Sequence, residues 1–174
     1  MFSKIDSIEY YLPKRKSFPS KNFNKIYNKT GILNTRVRNI NQDVIDLAYR
    51  ACLKHKKKLS NIDTIIFVTQ TPRYLLPSCS CILQDKLKLK KKIYTLDLNM
   101  GCSGYIYGLS VADSIIKSGI GNNILLVCAD TYSKYIDDKN TNRYIFSDSA
   151  SATLIKKCDK KKIYDFSFFT DGSK

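Results

Sequence analysis

Runs of apolar residues along the chain alternate between two rhythms, and the switches between them predict the elements. KIDSIEYYLP (4–13) reads as a first strand ended by Pro13, followed by a basic loop over 14–20. A short helix is expected over 22–29, then an irregular stretch over 30–40 in which Gly31 serves a turn. From 42 to about 58 the period becomes helical: Val44, Leu47, Ala48 and Ala51 share one face, which His55 extends, and Asn41 is the expected N-cap. TIIFVTQ (64–70) is a continuous β-branched run, the pattern of a strand covered on both faces. Pro72 and Pro77 bracket a loop, and Ser78 is placed to cap a helix reaching about Leu87. IYTLDLN (93–99) predicts a third strand. A helix is expected over 104–118, with Ile106, Leu109, Ala112 and Ile116 facing inward and Gly119 closing it. NILLVCAD (123–130) is a fourth strand. FSDSASATLIKK (146–157) predicts a tight turn leading into another, and KIYDFSFFTD (162–171) a last one.

Strands that alternate with helices imply an α/β domain whose sheet contains parallel pairs and carries helices on its faces. The 174 residues suffice for one core, and 43% hydrophobic residues exclude a disordered tail. No apolar run is long enough to span a bilayer, and the N-terminus lacks the pattern of a signal peptide. A soluble, cytoplasmic protein is the expectation.

Charge and cysteine narrow the chemistry. Six Cys are present (52, 79, 81, 102, 128 and 158), with no CxxC pair, and His55 is the single His, so a zinc site is not expected. Most of these Cys sit in apolar runs and read as buried free thiols. The net charge of +15 comes from Lys runs at 54–58, 86–92 and 156–162. A basic surface attracts polyanions such as nucleic acid, an acidic carrier protein or a phosphorylated cofactor, although Lys can equally fill solvated positions. Arg, which dominates base readout, is sparse, and no nucleic-acid-binding motif appears; neither nucleic acid nor membrane is expected as a partner.

Cys102 differs from the other thiols. In LDLNMGCSGYIYGLS a strand ends near Asn99, Met100-Gly101 turns, and a helix begins. A thiol there faces unpaired backbone N–H groups, which favour the thiolate and can hold an oxyanion. Gly101, Ser103 and Gly104 leave room for a substrate carbonyl. This is a strand–nucleophile–helix elbow with Cys in place of Ser.

NMGCSGYIYGLSVADSIIKSG, NILLVCADTYSKYID and RYIFSDSASATLI, in that order, resemble the 3-oxoacyl-[acyl-carrier-protein] synthase III family of thiolase-like condensing enzymes. KTGILNTRVRNI and TQTPRYLLPSCSCILQDKL extend the resemblance over nearly the whole chain. It implies a thiolase-like half: a five-stranded mixed sheet with helices on both faces, with 1–174 as the N-terminal domain and the C-terminal half, which carries the catalytic His and Asn, absent. Cys102 takes the family nucleophile's place, accepting an acyl group as a thioester for decarboxylative condensation. His55, in KHKKK, does not replace the missing His and is expected to be a solvated or half-buried helix residue.

Other positions follow from the resemblance. Leu76 matches a large apolar residue that enters the partner subunit's acyl pocket. Lys29 and Arg143 fall at positions that contact coenzyme A phosphates, while the adenine-stacking Trp is replaced by Lys25. Ser147, Asp148, Ser149 and Ser151 stand where the family has a Gly-rich turn, with Asp148 expected to be structural. The implied substrates are acyl-CoA or acyl carrier protein, with no resident cofactor and no metal. The implied assembly is a homodimer joined through strand 93–99, or a pairing with a complementary C-terminal-half chain. The alternatives are a non-catalytic remnant or a dimeric scaffold of the same fold.

Overall fold

The computed structural model describes residues 1–18, 23–137 and 140–173. Five strands form one mixed sheet in the order β1–β7–β6–β4–β5, where β1 is Phe2–Tyr11, β4 Thr64–Val68, β5 Tyr94–Leu98, β6 Asn123–Asp130 and β7 Ser149–Cys158. β4 pairs in parallel with β5 and β6, whereas β7 runs antiparallel to both β6 and β1. A two-residue ribbon, β2 (Lys16–Ser17) with β3 (Thr35–Arg36), lies apart.

Alternation along the central strands sorts their side chains to two cores. Ile65 and Phe67 of β4, with Leu125 and Val127 of β6, pack under α2 (Val44–Leu53) and α3 (Cys79–Lys86). Ile66, Val68, Ile124 and Leu126 pack on the other face, under α4 (Gly104–Lys117). All five β4 residues are buried, which is why residues 65–68 (IIFV) are apolar without interruption. The five-stranded mixed sheet with helices on both faces is as expected.

Boundaries differ in instructive ways. α2 is capped by Asp43, not Asn41: its carboxylate accepts from the N–H of Ile45 and Asp46, and Asp46 answers with a bond to the Asp43 N–H. The helix stops at Leu53, and the rest of the predicted span is a 3-10 turn, Lys56–Asn61. α1 is Phe23–Thr30; Asn22, expected to begin it, lies outside the described residues. The predicted last strand does not form. Residues 162–171 carry no ladder, and three of their apolar side chains settle on α4 instead: Ile163 and Phe166 join its core, and the Phe168 ring lies 4.6 Å from that of Tyr107.

Candidate active site at the mouth of α4

The site lies beyond the C-terminal ends of β4, β5 and β6. Two glycines bring α4 close to the sheet. A Cβ at Gly104 would overlap the Val68 side chain, and one at Gly108 would come within 2.5 Å of Leu126. The helix thus starts against β4, and the turn from β5 places Cys102 just ahead of the N-cap, Ser103. Ser103 makes no side-chain cap, and among the described residues the backbone N–H groups of Cys102 and Ser103 meet no protein acceptor. They remain available to a bound oxygen.

Among the described residues, Cys102 and Cys81 are the exposed thiols. Burial pushes three of the others up: Cys52 far above the ordinary thiol value, Cys128 to about 12 and Cys79 to about 11. Cys79 opens α3, yet desolvation and the charges of Asp97 and Asp43 outweigh the favourable end of that helix. A thiol that holds its proton at neutral pH is a poor nucleophile, which sets Cys52, Cys79 and Cys128 aside; Cys102 is the exposed thiol at the elbow.

A roof over this turn comes from β4 and β6. Asp130 accepts from the Thr69 hydroxyl (3.0 Å), the Gln70 N–H (2.8 Å), and the Thr71 N–H and hydroxyl (3.0 and 2.8 Å). One carboxylate thereby fixes the strand end that carries Gln70, whose carboxamide lies against Gly101. The Tyr132 hydroxyl donates to Gln70 Oε1, and the Tyr132 ring packs on Phe146 at 5.1 Å. Burial, then the charges of Asp130 and Cys102, raise the Tyr132 phenol pKa. Tyr132 and Phe146 continue into a cleft of about 380 Å³ also lined by Tyr10 of β1, Leu12 just after it, and Ser149 and Ser151 of β7. The sequence did not single out Gln70, Asp130 or Tyr132, because their roles depend on strand ends 60 residues apart meeting across the sheet.

The remaining sequence candidates are dispersed. Leu76, 85% exposed, projects from the β4–α3 loop beside Leu75. Lys29 is exposed in the last turn of α1. Arg143 is half-buried and donates to the carbonyls of Ser133 (2.9 Å) and Ile136 (3.3 Å), in a small cleft it shares with Arg15 and Arg38. His55 is neither solvated nor half-buried, as expected from its Lys-rich run, but 5% exposed, with Nε2 3.0 Å from the Ala152 carbonyl and Nδ1 3.4 Å from the Ser7 hydroxyl. It ties the end of α2 to the sheet, on the face opposite α4. Asp148 is fully buried and structural: it accepts from the N–H of Arg38 (2.7 Å) and of Ser133 (2.9 Å), and from the Ser133 hydroxyl. Among the described residues, Lys88 alone of the non-glycine residues has positive φ, so serines at 147–151 carry no strain. No group of three metal-ligating side chains occurs among the described residues.

Comparison with known proteins agrees with this geometry. The family described as 3-oxoacyl-[acyl-carrier-protein (ACP)] synthase III matches residues 96–172, from β5 through the Cys102 turn to the chain's last segment. A beta-ketoacyl-[acyl-carrier-protein] synthase III of Fusobacterium nucleatum is 39% identical, covering 97% of this chain and 54% of its own. The chain matches the synthase III family in sequence and in fold. A solved 3-oxoacyl-(acyl-carrier-protein) synthase III superposes with a TM-score of 0.87 at 34% identity, over 92% of this chain and 51% of that one. The Aquifex aeolicus synthase III gives 0.79 at 30%, over 91% and 55%. The chain thus spans about half the length of the curated relatives it matches. The synthase III likeness covers both cores and the elbow, so the turn at Cys102 belongs to a thiolase-like condensing-enzyme fold. Among the described residues no helix is long and apolar enough to cross a membrane.

Proposed function

We propose that this chain is the acyl-accepting half of a cytoplasmic synthase III-type acyltransferase, serving fatty acid or related acyl-chain synthesis. The observation that carries the proposal is the exposed Cys102 thiol at the mouth of α4, where the N–H groups of Cys102 and Ser103 meet no protein acceptor among the described residues. Cys102 attacks an acyl thioester borne by coenzyme A or acyl carrier protein. The acyl group passes to Sγ, and the donor leaves as a free thiol. Lys29 and Arg143 would hold phosphates of the donor, with Arg15 and Arg38 adding charge beside Arg143. Leu76, held out in solvent, would enter the acyl pocket of a second subunit.

Condensation itself requires a group to promote decarboxylation of the second substrate, and we assign that role to a second half. The 45% exposed Ile106 on α4 and the cleft lined by Tyr10, Leu12 and Phe146 offer that half an apolar seat. β5 is an edge strand and suits dimerisation by strand pairing.

Incubating the chain with acetyl-CoA, and separately with an acetylated carrier protein, should add one acetyl mass to the peptide containing Cys102. Cys102→Ser should abolish the addition. A folded chain that takes no acyl group from either donor would leave only the remnant or scaffold role.

A further inference from the structure

Gln70 is an amide with one end committed and the other unused. Its backbone is fixed through Asp130, and its carboxamide packs flat on Gly101, where an added Cβ would come within 3.0 Å of Oε1 and 3.2 Å of Nε2. Glycine at 101 therefore lets this amide approach the residue before the nucleophile. The Tyr132 hydroxyl takes Oε1. Its raised pKa keeps Tyr132 protonated, and so a donor, at neutral pH; burial is the largest cause of that shift, followed by the charges of Asp130 and Cys102. With Oε1 accepting, Nε2 is the donor end, and it meets no acceptor among the described residues.

We propose that Gln70 is a catalytic residue whose Nε2 binds the thioester carbonyl oxygen during attack by Cys102, and that Tyr132 is the positioning residue that turns this amide toward the substrate. The inference rests on the acyl-transfer role given to Cys102 above. As the Sγ–C bond forms, the carbonyl π pair moves onto oxygen. The resulting oxyanion is held by the Cys102 N–H and by Gln70 Nε2. When the oxygen pair returns, the bond from carbon to the donor sulfur breaks, and the departing thiolate takes up a proton. No oxidation or reduction is involved. The amide thus supplies a donor from within this half of the fold, so that acylation does not wait on a group from elsewhere.

Two reactions of the same thiol separate this role from a structural one. The N-acetylcysteamine thioester of acetate acylates Cys102 through an oxyanion. Iodoacetamide alkylates it by displacement at a saturated carbon and forms none. Gln70→Met preserves length without donors, and Tyr132→Phe retains the ring contact with Phe146. Each should slow acylation about tenfold or more while changing alkylation by less than about twofold. Unchanged acylation, or an equal fall in both reactions, overturns the proposal. If Gln70→Met does not fold by circular dichroism, Tyr132→Phe decides alone. A folded wild-type chain that alkylates at Cys102 but never acylates overturns the acyl-transfer role and this inference with it. Wild-type acylation with unaltered variants overturns the role of Gln70 only.

Discussion

The carboxylate of Asp97, on the edge strand β5, accepts the backbone N–H of Cys79 at 2.6 Å and so caps α3 from outside that helix. It takes the Ser80 N–H as well, at 2.8 Å, while Ser78, the residue at the N-cap position, makes no side-chain cap bond. Asp97→Ala should therefore lower stability by about 1–2 kcal/mol, as loss of a helix cap does. Urea unfolding followed by circular dichroism measures it. Ser78→Ala should cost well under half as much, and equal costs would show that the cap is misassigned.

Acid should weaken the corner where α2 meets the β4–α3 loop. Burial alone would raise the Asp43 pKa. The Arg73 guanidinium, with the N–H groups of Asp46 and Ile45, outweighs it and holds the carboxyl below the ordinary carboxylate range. A pKa lowered on folding contributes stability that is present above the unfolded value, about 3.9, and lost as pH falls through the folded one. Tm should accordingly drop below about pH 4. Arg73→Met should flatten that drop while lowering Tm at neutral pH, and an unaltered acid limb in the variant would refute the assignment.

Thiol reactivity should sort by burial. Under native conditions near neutral pH, iodoacetamide should modify Cys102 and Cys81 first. Cys79 and Cys128, at about 11 and 12, are ionised to roughly one part in a thousand or less at that pH and should label only after unfolding, as should Cys52. Peptide mass spectrometry at timed quench points gives the order. Early labelling of Cys79 would revive it as a nucleophile.

Gly104→Ala tests the close seat of α4. The new methyl meets Val68 in the sheet, not the tip of a flexible side chain. Overpacking should cost about 1–3 kcal/mol, and because the helix start must shift, acylation of Cys102 should fall more than stability alone explains. A variant with wild-type stability and reactivity would show that the contact relaxes freely.

Much of the fold was legible because the central elements are dictated by burial. IIFV is apolar throughout since β4 is covered on both faces, and the 3.6 spacing of Leu109, Ala112 and Ile116 locates the buried side of α4. Ile106 shares that spacing but lies in the first turn of α4 and is 45% exposed. The segment 162–171 misled because aromatic residues favour strands only where a partner edge is offered; here Phe166 and Phe168 find α4 instead. His55 misled similarly, since a Lys-rich run suggests solvent while its ring turns under β7 to meet the Ala152 carbonyl. The turn that carries Cys102 was visible from the small residues around it. The Gln70–Tyr132 contact was not, because it follows from how far β4 and β6 extend, and no local pattern encodes that.

The four hydrogen bonds that converge on Asp130 have a dynamic consequence. They splice the segment above the thiol to the two innermost strands, so it cannot fray as an ordinary loop would. Its amides should exchange with solvent deuterium only as slowly as the sheet's interior opens, with Thr71 N–H among the last to go. Motion in this molecule is thereby directed away from Cys102, toward the protruding stretch around Leu76.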